Sequence, residues 1–125
     1  MNLFFDTSIL IDLERRKEEV LIKINDLREV YPAPALISFV SYVEFLHGLR
    51  DKSKQNREKS RFLIDKFRVI QTTNKTAEIL LMLKEKYEYP LADLLIASQV
   101  IENDGILLTK DKDFEGIKEL NKIVI

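Results

Sequence analysis

Four carboxylates stand where an open parallel sheet forms its sites, beyond the carboxyl ends of strand-like runs. Asp6 follows the apolar run Asn2 to Phe5, and Glu44 lies just after the run Ala35 to Val40. Asp93 opens the helical stretch Leu91 to Glu102, and Asp111, with Asp113 two positions on, follows Ile106 to Leu108. Each has an ordinary structural use. Asp6 can cap a helix, Glu44 can be the reciprocal member of a capping box Ser41-Tyr42-Val43-Glu44, Asp93 suits the positive end of a helix dipole, and Asp111 suits a turn. Convergence would change their meaning. Ionised carboxylates about 5 Å apart repel by roughly 3 kcal/mol per pair at an effective dielectric near 20, and over all pairs of four this exceeds a small domain's stability. Such a cluster takes up protons or holds one or two divalent cations. Oxygen ligands alone select Mg2+ or Mn2+, and a cation that keeps several waters suits phosphodiester hydrolysis: it acidifies an attacking water and neutralises charge on the transition state.

The composition removes the competing chemistries. There is no cysteine, which excludes disulfide scaffolds, thiolate zinc sites and cysteine nucleophiles and is compatible with a reducing interior. His47 is the only histidine, so a multi-histidine metal site is impossible. Glu44 and His47 have the Glu-x-x-His spacing of di-iron bundles, but those sites need a second such pair and two further glutamates, so His47 reads as a packed or surface residue. At 125 residues, 46% hydrophobic and 33% charged, the chain has the length and composition of one soluble globular domain. The apolar N-terminal stretch Met1 to Leu13 is interrupted by Asp6 and Asp12 with no basic leader, and the expectation is a cytoplasmic protein without membrane attachment. Lys+Arg 20 against Asp+Glu 21 gives a net charge of −1, but the charges are unevenly placed. Arg50, Lys52, Lys54, Arg57, Lys59 and Arg61 make the segment from Arg50 to Arg61 locally +4 and leave −5 elsewhere. This segment either tracks phosphates or is a solvated helix face.

Positioning the acids requires strands alternating with helices. Strands are expected at Asn2 to Phe5, Ala35 to Val40, Val69 to Thr72, Ile106 to Leu108 and Lys122 to Ile125. Helical spacing runs from Ile9 to about Val30, with a charged break at Glu14 to Glu19 that divides it in two. Further helices are expected from Ser41 to about Gly48, across Asp51 to Phe67, over Asn74 to Tyr87 and over Leu91 to Glu102, with one or two turns at Phe114 to Leu120. Short apolar strands between helices imply an α/β fold, a three-layer α/β/α sandwich around a central parallel sheet of about five strands.

The motifs resemble the PIN-domain ribonucleases, in particular the VapC-type toxins of VapBC toxin–antitoxin pairs. The resemblance rests on Leu3-Phe4-Phe5-Asp6-Thr7-Ser8-Ile9-Leu10-Ile11-Asp12, Ser41-Tyr42-Val43-Glu44-Phe45-Leu46-His47-Gly48-Leu49, Leu91-Ala92-Asp93-Leu94-Leu95-Ile96-Ala97-Ser98 and Leu107-Leu108-Thr109-Lys110-Asp111-Lys112-Asp113-Phe114, in family order across nearly the whole chain. It implies a single PIN-like domain over residues 1–125. It also implies that Asp6, Glu44, Asp93 and Asp111 form the family's acidic quartet, with Asp6 and Asp93 as direct metal ligands and Glu44 and Asp111 ligating directly or through water. Asp113 ranks below Asp111, because the family carries an acid or Asn at either position. Thr7, Ser8 and Thr109 match hydroxyl-bearing positions that orient a carboxylate or the attacking water, and they equally suit capping and turn bonding. The activity implied is Mg2+- or Mn2+-dependent cleavage of single-stranded or looped RNA to leave a 5′-phosphate. The partners implied are a VapB-like antitoxin, whose amphipathic helix would lie on apolar residues of the first helical region, and a second copy of the chain in a homodimer.

Two other classes of function remain open. A phosphoacceptor receiver domain has this length, and Thr109-Lys110 superficially suits it, but Asp6 has no adjacent acid and Gln71-Thr72 occupies the place of the acceptor aspartate. A haloacid-dehalogenase-like phosphatase meets a similar objection, since Ser8 stands where its second acid belongs. A catalytically inert interaction module on the same fold is the other alternative.

Overall fold

Alternation along the first strand sets the layering. In β1 (Asn2–Phe5), Leu3 and Phe5 enter one apolar cluster and Phe4 enters another on the opposite face, all three buried. The computed structural model describes all 125 residues, Met1 to Ile125, and continues as α1 (Thr7–Glu14), α2 (Glu18–Val30), β2 (Leu36–Ser38), α3 (Phe39–His47), α4 (Lys54–Ile64) and β3 (Arg68–Ile70). Then follow α5 (Asn74–Lys86), α6 (Leu91–Glu102), β4 (Gly105–Thr109), a 3-10 helix over Lys112–Gly116 and β5 (Lys122–Val124). The five strands form one parallel sheet in the order β3-β2-β1-β4-β5. Leu3, Phe5, Ile37 and Leu108 pack with Ile9 and Leu10 of α1, Val20, Ile24 and Leu27 of α2, Phe45 of α3 and Ile64 of α4. On the other face, Phe4 and Leu107 pack with Leu83 of α5 and with Leu94, Ile96, Ala97 and Val100 of α6. The expected α/β/α sandwich is therefore present, with six α-helices flanking five parallel strands.

The sheet order places a topological switch point between β1 and β4, whose chains leave in opposite directions toward β2 and β5. Crevices at such points are where ligands bind in open α/β sheets. The register there is tight: Asn2 to Phe5 pair with Gly105 to Leu108, and a Cβ on Gly105 would sit 2.6 Å from the Phe4 ring. Only glycine fits at that position.

Several expected boundaries shift. The run Ala35 to Val40 is strand only over Leu36–Ser38, because Ser38 rather than Ser41 caps α3: its Oγ accepts the Ser41 N–H at 3.0 Å. Glu44 thus stands in the second turn of α3 and plays no part in a capping box. The polar stretch expected as helix from Asp51 to Phe67 is helical over Lys54–Ile64, with Ser53 as its cap. β3 is Arg68–Ile70 rather than Val69 to Thr72, and the turns expected at Phe114 to Leu120 begin earlier, as the 3-10 helix capped by Asp111. No helix is long and apolar enough to cross a membrane.

Candidate active site

The carboxyl ends of β1 and β4 deliver the first two components. Asp6 leaves β1 and caps α1, accepting the Ile9 N–H at 3.2 Å. The Ser8 hydroxyl donates to Asp6 Oδ1 at 2.6 Å, and the Thr109 hydroxyl, at the end of β4, donates to Asp6 Oδ2. The same hydroxyls accept backbone N–H groups from the following loop: Lys110 N–H donates to Ser8 Oγ at 3.2 Å and Asp111 N–H to Thr109 Oγ1 at 3.0 Å. Asp6 is therefore a buried, three-fold hydrogen-bonded clamp that ties the start of α1 to the loop bearing Asp111. Burial pushes its carboxyl above the usual range despite those hydrogen bonds, and the nearby Asp111 charge adds to the rise.

Asp93 enters from the first turn of α6, and Asp111 and Asp113 come from the loop after β4. Oxygen atoms of these three carboxylates lie within 4.8 Å of one another. Asp113 N–H also donates to Asp111 Oδ1 at 2.9 Å, which holds the two loop acids on one side of the 3-10 turn. Glu44 approaches from α3, its Oε1 accepting the Thr7 hydroxyl at 2.8 Å. Partial burial raises Asp93 first, and the charges of Asp111, Asp113, Glu44 and Asp6 then raise it further, in that order. Four acids act on the Asp93 carboxyl, so the five share one site. None of the four ion pairs in the molecule involves any of them.

The site residues read from the sequence are distributed unevenly. Asp93 and Asp111 come together, and Asp113, ranked below Asp111, joins them, with an oxygen within 4.8 Å of each. Asp6 and Glu44 lie outside that tight triad and border it. Thr7, Ser8 and Thr109 each hold a carboxylate, as just described. Lys110 turns away: its Nζ donates to buried Asp12 at 2.7 Å, which raises the lysine's pKa and leaves the acidic cluster without that cation. Of the basic segment, Lys52 is bound to Glu14 and Ser60. Arg50, Lys54, Arg57 and Arg61 line a separate groove between α3 and α4, and Lys59 borders another with Lys52.

Gln99 is a positioning residue that sequence reasoning missed. Fully buried in α6, its Oε1 accepts the Phe39 N–H at 2.9 Å and its Nε2 donates to the Ile70 carbonyl at 2.7 Å. It thereby satisfies the first free N–H of α3 and fixes the helix that carries Glu44. The available signal was a lone amide in the apolar run Leu94 to Ile101.

An oxygen-only triad without a countercharge fits a hard divalent cation such as Mg2+ or Mn2+. Comparison with known proteins accords with this fold. The chain resembles a toxin–antitoxin complex structure from Klebsiella pneumoniae at 25% identity and a TM-score of 0.80, covering 99% of this chain and 100% of that one. It also resembles VapBC2 from Rickettsia felis bound to a DNA fragment from their promoter, at 19% identity and a TM-score of 0.83, over 100% of this chain and 99% of that one. A third similar structure is VapC20 of Mycobacterium tuberculosis, described as a Sarcin-Ricin loop cleaving toxin, at 15% identity and a TM-score of 0.65, covering 94% and 95% of the two chains. No match is found among curated proteins. The sequence profile of the PIN domain matches residues 3–120, nearly the whole chain, and the protein belongs to the PIN-domain family.

Proposed function

We propose that this PIN-domain protein is a metal-dependent endoribonuclease and the toxin of a type II toxin–antitoxin pair. The observation that carries the reading is the triad Asp93, Asp111 and Asp113, three carboxylates within 4.8 Å that no basic side chain neutralises. These residues would hold the cation, with Asp6 and Glu44 bordering it and ligating directly or through water. When bound, Mg2+ or Mn2+ supplies an acidified water and neutralises charge at the scissile phosphate. The protein's own contribution is order. Ser8 and Thr109 lock the Asp6 carboxylate, Thr7 aims Glu44, and Gln99 seats α3, so little reorganisation remains when substrate arrives.

The partner reading has its own support. Leu3, Phe5, Leu13, Ile24, Leu63 and Phe67 line a cavity of about 550 Å3 against α1, α2 and the end of α4. It would receive the apolar side chains of an antitoxin segment. Val43 of α3 and Leu81 of α5 are exposed apolar residues available to a second copy of the chain.

The test is cleavage of single-stranded RNA by the wild type, Asp6→Asn and Asp93→Asn, with Mg2+ or Mn2+ and with chelator. The expected result is cleavage only by the wild type and only with the metal. Cleavage that persists after chelation, or in both variants, would overturn the mechanism.

A further inference from the structure

The groove between the C-terminal end of α3 and α4 takes no part in the acidic site. Its volume is about 620 Å3, and its lining includes Leu46, Leu49, Arg50, Arg57, Arg61 and Phe62. Lys54 adds a fourth cation, and Glu58 and Asp65 are the only acids in the lining, so the groove is net basic in a protein whose total charge is −1.

Three of its four cations are free of ion pairs, and two, Arg50 and Arg57, are held in place by backbone carbonyls. Lys54, Arg57 and Arg61 form no ion pair, and Arg50 reaches only its exposed neighbour Asp51, at 3.8 Å. Arg57 Nη1 donates to the Lys52 carbonyl at 2.7 Å and Arg50 Nη1 to the His47 carbonyl at 3.2 Å. These two guanidiniums are thus anchored through Nη1 and keep further N–H groups for an anion, and Arg61 has all of its guanidinium N–H groups free of protein partners. Arg57 and Arg61 are four residues apart on α4, about 6 Å along the axis and on one face.

Phe62 makes the groove more than a charged surface. Its side chain is 71% exposed after a run that is polar from Lys54 to Arg61, forgoing about 1.5–3 kcal/mol of burial. Lys66 Nζ lies 4.7 Å from the ring centroid, and Lys66 does not line the groove although Phe62 does. One face of the ring is met by a cation outside the groove, and the ring also lines the groove together with Arg57 and Arg61.

We propose that this groove binds a single-stranded segment of the RNA substrate, with Phe62 stacking on a base and Arg57 and Arg61 holding the adjacent phosphates. The inference rests on the endoribonuclease reading and deepens it. Aromatic platforms flanked by cations recognise single strands because every unpaired base offers a π-face, whereas a duplex hides its bases. An acidic peptide would engage the arginines, but it would have no need of an exposed phenyl ring. Leu46 lies roughly 200° round α3 from Glu44 at 100° per residue, on the far side of the helix from Glu44, and Leu49 and Arg50 follow in the turns after its end. The bound segment therefore flanks the scissile bond and reaches the groove past the end of α3, where Arg50 meets His47.

The test uses the full chain with a fluorescent single-stranded RNA long enough to span both sites, and with a trinucleotide. Binding is read by anisotropy in chelator, and cleavage with Mg2+ or Mn2+. Phe62→Ala should weaken binding of the long RNA about tenfold and raise its KM with kcat little changed, and Phe62→Trp should restore both. Arg57→Gln with Arg61→Gln should reduce the slope of log affinity against log salt by about 1.4. Trinucleotide cleavage should be unaffected in every variant. Wild-type cleavage with unchanged affinity and KM in Phe62→Ala would overturn this inference and leave the nuclease reading standing. Absence of RNA cleavage by the wild type would overturn both. Loss of binding to an acidic peptide, with RNA binding intact, would overturn the inference and identify the groove as a protein-docking surface.

Discussion

Replacing Asp93 with Asn should make the metal-free protein more stable. Asp93 has two carboxylate neighbours, Asp111 and Asp113, within 4.8 Å. At that separation each like-charge pair costs about 0.9 kcal/mol in bulk water and about 1.7 kcal/mol at twice the field, which suits this partly buried side chain. Two pairs therefore cost about 2–3 kcal/mol. Asn loses the favourable first-turn dipole interaction of Asp93, worth about 0.5 kcal/mol, and ordinary salt screens part of the remainder. The net gain for Asp93→Asn is about 1–2 kcal/mol, or about 3–10 °C in Tm for a domain of this size. The assay is thermal unfolding in chelator at low ionic strength over a pH series. Because the folded-state pKa of Asp93 is raised above 3.8, the wild type loses stability as pH rises through that raised value. The variant's advantage should thus be full at neutral pH, shrink with added salt and vanish in acid below the ordinary carboxylate range. Mg2+ or Mn2+ should reverse the order by stabilising the wild type preferentially. A variant equal to or less stable than the wild type at neutral pH in chelator would refute the claim that these carboxylates are an uncompensated cluster.

Other perturbations address the residues that position the site. Gln99→Leu should cost about 2 kcal/mol or more, by leaving the Phe39 N–H and Ile70 carbonyl without their partner, and should lower RNA cleavage through Glu44; urea unfolding and cleavage rates check the two effects. Gly116→Ala places a Cβ 2.0 Å from the Tyr89 hydroxyl, beside the loop that carries Asp113, at a cost of about 1–3 kcal/mol. Adding Tyr89→Phe removes the clashing atom and should recover most of that loss in a double-mutant cycle. Glu119 is held down to about 2 by hydrogen bonds from Lys86 and then Tyr87. Its contribution is present above its usual value of 4.5 and lost as pH falls toward 2, so Glu119→Gln should lower the urea midpoint at neutral pH and converge with the wild type in strong acid.

What was legible in the sequence follows the physics of burial. β1 and α6 carry predominantly apolar patterns bounded by Asp6, Pro90 and Asp104, and their expected limits match the structure closely. The start of α3 was misplaced because Ser38 and Ser41 are both good caps, and the choice depends on Gln99, sixty residues away and invisible to local pattern. The acids were recognisable one by one as residues after strands, and the parallel order of the sheet implied their convergence. Their grouping was not recognisable. The closeness of Asp113 to Asp93 depends on how the 3-10 turn after Asp111 bends, and the diversion of Lys110 to Asp12 depends on a contact between α1 and the loop after β4. Similarly, the basic segment looked uniform, yet tertiary contacts remove Lys52 to Glu14 and leave Arg57 and Arg61 beside Phe62.

The most direct test of the central claim is the chemistry of the cut ends. Single-stranded RNA incubated with the purified wild type and Mg2+ or Mn2+ should yield fragments with 5′-phosphate and 3′-hydroxyl termini, and none when chelator is present, since an activated water attacks the phosphorus and the 3′-oxygen leaves. Fragments ending in 2′,3′-cyclic phosphate, or cleavage that continues in chelator, would contradict a reaction carried by Asp93, Asp111 and Asp113.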